Sequence, residues 1–117
     1  MNLPDDYQCA PAVAESDRRK SVRYTVSVQI EIRPVGSDVP MRLETTDLSP
    51  GGCYVQVMIP LPLGMRLQVT LWLNGTPIVA QALVVTLHPQ FGNGIMFVDL
   101  EGEAAAILNR YLDAIVT

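Results

Sequence analysis

Four basic residues stand close together in a chain that is acidic overall. Arg18, Arg19, Lys20 and Arg23 fall within six positions, whereas the 117-residue chain has a formal net charge of -4. Guanidinium groups are planar forks of N–H donors that suit phosphate oxygens and the O6 and N7 edge of guanine, and they stack flat on purines. The cluster therefore indicates a local site for a phosphate-rich, guanine-containing ligand.

A second group of residues suits the polar edge of a base. Asp47, Ser49, Gly51 and Gly52 fall in one short stretch between two predicted strands. A carboxylate can accept hydrogen bonds from guanine N1 and N2, a hydroxyl can donate or accept one, and paired glycines let backbone N–H groups approach a ligand. This turn offers acceptors, whereas the arginine cluster offers donors.

Each group alone has a simpler explanation, because basic runs are often solvated junctions and Asp, Ser, Pro and Gly are common in ordinary turns. The two groups occur in order, however, as R-x-x-x-R from Arg19 to Arg23 and as D-x-S-x-x-G from Asp47 through Ser49 to Gly52. This pair of motifs resembles the signature of the PilZ domain family.

The resemblance covers about residues 18–100, and it includes weaker similarities in the Pro-rich stretch ending at Gly64 and in the segment 92–97. It implies a six-stranded barrel that binds cyclic di-GMP and has no catalytic activity. Carried over residue by residue, it implies an arginine pair, a guanine acceptor at Asp47, a polar contact at Ser49 and a close backbone approach at the glycines. The implied ligand-binding residues are Arg18, Arg19, Arg23, Asp47, Ser49, Gly51 and Gly52. Arg18 could contact a second, stacked nucleotide, so the number of bound ligands stays open.

The residues before the first strand indicate how binding of the ligand could be passed on to another protein. Residues 1–17 contain two prolines and no helical or strand periodicity, so we expect a flexible leader. Without ligand, we expect the basic segment 18–23 to be mobile and screened by nearby acidic residues. Ligand phosphates would order this segment on the barrel and create a surface for a downstream protein partner.

Strands that could position the two motifs are predicted from alternating apolar and polar residues. The first covers residues 24–33, and five more follow at about 41–46, 54–57, 65–73, 76–86 and 94–98. Asn74 with Gly75 is a strong hairpin signal. Residues 101–115 carry apolar side chains at helical spacing, with Asp99 as a candidate cap. These elements predict an all-β domain in which six strands form a closed or nearly closed antiparallel barrel over about residues 24–98, followed by a C-terminal α-helix. The resemblance implies that residues 18–117 form a PilZ domain with a six-stranded antiparallel PilZ-type β-barrel.

Composition limits the remaining classes of function. The acidic balance opposes binding to duplex nucleic acid or to an anionic membrane surface. Residues 1–17 have neither a basic start nor a long apolar run, so we expect no signal peptide or membrane span. Cys9 and Cys53 form neither a CxxC site nor a disulfide framework, which favours a cytoplasmic location. We expect Cys53 to be a packed core residue.

No enzymatic constellation stands out. His88 is the single histidine, and we expect it to be a loop residue rather than a metal ligand or a general base. The sequence thus predicts neither metal nor cofactor, with cyclic di-GMP as the ligand. Two alternative functions stay open. One is a PilZ-fold adaptor in pilus or motility machinery that binds no nucleotide, and the other is an enzyme or a small nucleic-acid-binding barrel. A homodimer formed through the helix also stays open. Tyr54 faces the ligand turn or serves packing alone, and Trp72 and Phe97 are expected in the barrel.

Overall fold

Alternating side chains build a closed barrel in this chain. The structure is a computed structural model and describes residues 22–116. Its elements are β1 (Gln29–Pro34), β2 (Met41–Ser49), β3 (Gly52–Gln56), β4 (Arg66–Leu73), β5 (Thr76–His88), β6 (Gly92–Phe97) and α1 (Gly102–Val116). The strand order is β1-β2-β3-β6-β5-β4, all neighbours are antiparallel, and β1 pairs with β4 to close the sheet. The predicted six-stranded antiparallel barrel with a C-terminal helix is confirmed.

The barrel interior is filled by one apolar side of every strand. In β4 the inward side chains Leu67, Val69, Leu71 and Leu73 are all buried, as their alternation with polar residues predicts. Helix α1 packs against β4 and β5 and adds Leu108 and Leu112 to the same core cluster. Complete burial of an aliphatic side chain contributes roughly 1.5–3 kcal/mol relative to leaving it exposed, so this interior dominates the stability of the domain.

The hairpin between β4 and β5 has the conformation that its sequence predicts. Asn74 and Gly75 have φ angles of 53° and 83°, both in the left-handed region. Two such residues in succession form the tight turn that matches the twist of antiparallel strands. The turn leaves Leu73 paired with Thr76, which sets the register of the long β4–β5 ladder.

The first strand begins later than the alternation predicts, at Gln29 instead of residue 24. The reason is Thr45 of β2, whose hydroxyl takes the place of regular backbone hydrogen bonds between β2 and residues 26–28. Its Oγ1 accepts a hydrogen bond from the Val28 backbone N–H at 3.0 Å and donates one to the Val26 carbonyl at 2.8 Å. On the other side of β2, its register against β3 shifts at an irregularity between Thr45 and Asp47. Residues 24–28 therefore lie beside β2 without forming a regular strand.

A buried amide fixes the long connection between β3 and β4. The Asn93 side chain accepts a hydrogen bond from the Leu61 backbone N–H at 2.7 Å, and its Nδ2 donates to the carbonyls of Leu61 at 2.9 Å and Thr86 at 3.1 Å. Asn93 is fully buried. The sequence predicts Asn93 in the turn before a strand that starts at residue 94, but β6 begins at Gly92 and includes Asn93.

The start of α1 also differs from its prediction. Asp99 is not the helix cap, because the helix begins at Gly102 and the Asp99 carboxylate accepts a hydrogen bond from the Gln81 backbone N–H at 2.6 Å. The carboxylate thus joins the segment between β6 and α1 to β5. Within residues 22–116, no helix has both the length and the apolar character needed to cross a bilayer.

Candidate functional site

The two motifs meet on the outer wall of the barrel. Tyr24 and Leu48 exchange two backbone hydrogen bonds of 2.9 Å each, which holds the chain before β1 against the end of β2. Arg23 is thereby placed beside Asp47, and its Nη1 donates a hydrogen bond to Asp47 Oδ1 at 2.8 Å. The two side chains are 56% and 26% exposed. A donor fork and a carboxylate, 24 positions apart in sequence, therefore share one solvent-facing site.

Ser49 is engaged inside the turn between β2 and β3. Its Oγ accepts hydrogen bonds from the backbone N–H groups of Gly51 at 3.2 Å and Gly52 at 3.1 Å, and it donates to the Gly52 carbonyl at 3.2 Å. Ser49 is only 4% exposed. In this conformation the hydroxyl and both glycine N–H groups serve the shape of the turn, and contact between them and a ligand stays a prediction.

The glycine that ends the second motif is required by packing. A Cβ atom at Gly52 would lie 2.1 Å from the carbonyl oxygen of Ile95 on β6, which no other side chain could tolerate without backbone movement. Gly51 accepts a hydrogen bond from the Phe97 backbone N–H at 2.9 Å through its carbonyl. Both glycines therefore attach the motif turn to β6, a role that the sequence motif does not reveal.

The remaining arginines of the first motif, Arg18 and Arg19, lie outside the described residues, as does the predicted leader 1–17. Their assignment to the site stays a prediction. The described part of the chain starts at Val22, directly before Arg23.

Beneath the ion pair lies the thiol of Cys53, which is fully buried, as predicted for a core residue. The pKa of the Cys53 thiol is raised to about 12, mainly by burial and to a lesser extent by the negative charge of Asp47, whereas the positive charge of Arg23 lowers it. Because the thiolate is the nucleophilic form of cysteine, this side chain is unreactive at neutral pH.

Tyr54 and His88 form a hydrogen-bonded pair next to the motif. Tyr54 stands opposite Asp47 in the register of β2 and β3. Its hydroxyl lies 2.9 Å from His88 Nδ1, and the ring centroids are 5.7 Å apart at an interplanar angle of 46°. The prediction that His88 lies in a loop is wrong, because β5 extends two residues further than the alternation indicates and ends at His88. The pairing depends on strand register, so the sequence alone gives little signal for it.

A groove of about 700 Å³ lies on the outer face beside this region. Its lining residues are Gln29, Ile30, Arg42, Leu43, Glu44, Gln56 and Trp72. Of the predicted ligand-binding residues, the ones that the structure describes (Arg23, Asp47, Ser49, Gly51 and Gly52) do not line this groove. Trp72 is half-buried on β4, whereas Phe97 is buried in the barrel. In the described part of the chain, no group of three or more His, Cys, Asp or Glu side chains is arranged to hold a metal ion.

Three solved structures are similar in fold to this chain. The chain is similar to the PilZ domain of CeSA from a cellulose-synthesizing bacterium, at 16% identity and a TM-score of 0.66 over 83% of this chain and 100% of that one. It is similar to the inhibitor of motility MotI (DgrA) of Bacillus subtilis, at 17% identity and a TM-score of 0.67 over 81% of this chain and 50% of that one. It is also similar to YcgR of Escherichia coli, solved in complex with c-di-GMP, at 17% identity and a TM-score of 0.69 over 85% of this chain and 46% of that one.

Identities this low show a shared fold alone, and the chain spans about half the length of MotI and YcgR. No curated protein matches the sequence. The family model of the PilZ domain matches residues 17–114, a stretch that includes both motifs, the barrel and most of the helix. On this match, the chain belongs to the PilZ domain family.

Proposed function

We propose that this chain is a receptor domain for cyclic di-GMP, and that it transmits the signal by repositioning the segment before β1. Domains of the PilZ family serve as receptors or adaptors. The similar protein YcgR was solved in complex with c-di-GMP, which supports the choice of cyclic di-GMP. The observation that carries the proposal is the contact of Arg23 with Asp47, because it brings the donors of one motif to the acceptor of the other.

The ion pair suits ligand exchange. An exposed salt bridge contributes roughly 0–1 kcal/mol, so a ligand can separate its partners at little cost. Guanine N1 and N2 would donate to the carboxylate of Asp47, while the freed fork of Arg23 would bind a phosphate or the O6 and N7 edge. Arg18 and Arg19 would add further phosphate contacts, and one or two nucleotides could be held.

Signal transmission follows from the position of Arg23. This residue is next to Tyr24, whose two backbone hydrogen bonds to Leu48 mark where the chain joins the barrel. A ligand that engages the arginines from residue 18 to 23 would draw the basic segment onto the outer wall and move the preceding residues. The new surface would bind a downstream protein. Equal protease sensitivity of residues 1–17 with and without saturating ligand would contradict this mechanism.

Calorimetric titration with cyclic di-GMP tests the proposal. Arg23→Ala and Asp47→Ala should each weaken binding about ten- to a hundredfold, because each removes a charge-assisted contact of roughly 1.5–3 kcal/mol. Arg19→Ala should behave alike. The matched control is Arg42→Ala, which removes another exposed arginine from a carboxylate pair, its Nε lying 3.2 Å from Glu31. Arg42 also lines the neighbouring groove, so an effect at Arg42 alone would move the ligand away from the motifs.

One observation favours an adaptor as the second candidate. Ser49 and Gly52 are each explained by turn geometry and packing against β6, so their presence does not by itself require a ligand. A wild-type chain that gives no heat with cyclic di-GMP would favour a PilZ-fold adaptor that works without nucleotide.

A further inference from the structure

We propose that the ring of Tyr54 is the surface on which the guanine held by Asp47 stacks, and that His88 positions this ring. The inference rests on the proposed function and assigns it a further contact residue. Hydrogen bonds to a guanine edge act in the plane of the base, and they leave its two faces unused. An aromatic side chain beside the carboxylate supplies the missing contact, since stacking of a base on an aromatic ring is favourable for any base.

Strand register places Tyr54 where such a surface is needed. Tyr54 on β3 is the direct partner of Asp47 on β2. Directly opposed residues of antiparallel strands project from the same face of the sheet, with Cβ atoms about 4.5–5.5 Å apart. The neighbours of Tyr54 along β3, Cys53 and Val55, are fully buried, so Tyr54 points outward. It is half-buried, which leaves part of its side chain open to solvent.

The hydrogen bond to His88 orients the ring across the intervening strand. Tyr54 is paired with Gly94 of β6, and His88 of β5 is paired with Gly92 of the same strand. The pair therefore spans β6 at two outward positions that have no side chain. A Cβ atom at Gly94 would lie 2.4 Å from Thr86 Oγ1, so a side chain at this position would require Thr86 to move. The glycines of β6 thus leave room for the Tyr54 hydroxyl to reach His88.

The location of the pair argues against a purely structural role. The Tyr54–His88 hydrogen bond is exposed, whereas the apolar core of the barrel is on the other side of the sheet. An exposed hydrogen bond between two side chains contributes little to folding because water competes for both partners. Its main effect is to restrict the rotation of one ring next to Asp47, which lowers the entropy lost when a base binds there.

Titration of single variants with cyclic di-GMP tests the role of the ring. Tyr54→Ala should weaken binding about five- to a hundredfold, the range expected for the loss of one stacked base. Tyr54→Phe keeps the ring and should weaken binding less than about threefold. The matched control is Gln56→Ala, because Gln56 is exposed on the same face of β3, two residues away, and should have no effect. Thermal melting of each variant checks that the barrel stays folded.

The positioning role of His88 needs a separate readout. His88→Ala should weaken binding less than Tyr54→Ala does, and it should have no further effect when Tyr54 is already alanine. The guanine H8 proton should show an upfield ring-current shift in NMR spectra of the wild type and of Tyr54→Phe, and this shift should be absent with Tyr54→Ala. A His88→Ala effect that persists without the tyrosine ring would overturn the positioning role.

Failure of this inference is distinguishable from failure of the proposed function. If the wild type does not bind cyclic di-GMP, the proposed function and this inference fail together. If Arg23→Ala abolishes binding while Tyr54→Ala binds as tightly as the wild type, only the stacking role is wrong. If Gln56→Ala is the damaging change instead, the base lies in the neighbouring groove, and the role of Tyr54 is again wrong.

Discussion

Two of the polar contacts that join distant parts of this chain, the Arg23–Asp47 pair and the hydrogen bonds of Asn93, differ in their access to water. The Arg23–Asp47 pair lies on the outer wall with both side chains partly exposed. The Asn93 amide is fully buried and satisfies three backbone groups of Leu61 and Thr86. Water can replace the first contact at little cost, whereas the buried position of Asn93 restricts the access of water to the second. The chain thus keeps its exchangeable contact at the candidate site and its permanent one in the scaffold.

The largest effect is expected at the buried contact. Asn93→Ala leaves two carbonyl groups and one N–H, all partly buried, without this partner, and an unsatisfied buried group costs roughly 1–3 kcal/mol. We expect the free energy of unfolding to fall by about 3 kcal/mol or more, measured by urea denaturation. Asn109→Ala on the exposed side of α1 is the control and should change stability by less than about 0.5 kcal/mol. Similar losses in the two variants would remove the distinction between the contacts.

An intermediate effect on the free energy of unfolding is expected at Cys53, whose thiol is fully buried and responds to the charges of Asp47 and Arg23. The unfolded thiol releases its proton near pH 9.0, whereas the folded one keeps it until about pH 12. The folded state therefore binds more protons in this window, and stability should fall as pH rises through it, by at most about 1.4 kcal/mol per pH unit. The loss is absent below the unfolded pKa.

Comparison with Cys53→Ala isolates this contribution, because other groups of the chain also titrate at alkaline pH. The difference in unfolding free energy between the two proteins should depend on pH only above about pH 9. Asp47→Asn should narrow the window, since the charge of Asp47 is a lesser cause of the raised pKa. A difference that is constant from pH 8 to 11 would contradict the burial of the thiol.

The smallest effect on folding is expected at the surface pair. Arg23→Ala and Asp47→Ala should each change stability by less than about 1 kcal/mol, and a double-mutant cycle should give a coupling energy that decreases with added salt. The same substitutions are expected to impair ligand binding at least tenfold. A coupling energy above about 2 kcal/mol would mean that the pair is a structural lock, since exposed pairs do not reach that value.

Much of the barrel could be predicted because alternation reports burial directly. Leu67 to Leu73 alternate in sequence and in the structure, and Asn74 with Gly75 forms the expected turn. Asn93 and His88 could not be placed, because their roles depend on which strand lies alongside which, and that pairing is set by the whole sheet. Asparagine also reads as a turn residue in sequence, although its amide can satisfy backbone groups in a buried loop equally well.

The candidate site shows the same division. The structure brings Arg23 of the first motif to Asp47 of the second, whereas the places of Arg18 and Arg19 stay predictions. The engagement of the Ser49 hydroxyl with Gly51 and Gly52 could not be foreseen, because the same residues that suit a ligand also suit a tight turn. Spacing identifies such residues without distinguishing the two uses.

Closure of the sheet restricts how any partner can recognise this domain. In residues 22–116 every strand has a hydrogen-bonded neighbour on both sides, because β1 pairs with β4 as well as with β2. An extended peptide binds by β-augmentation only where a strand edge has unpaired N–H and C=O groups. A protein that docks on this barrel must therefore read side chains, so its specificity can be altered by surface substitutions without disturbing the backbone ladders.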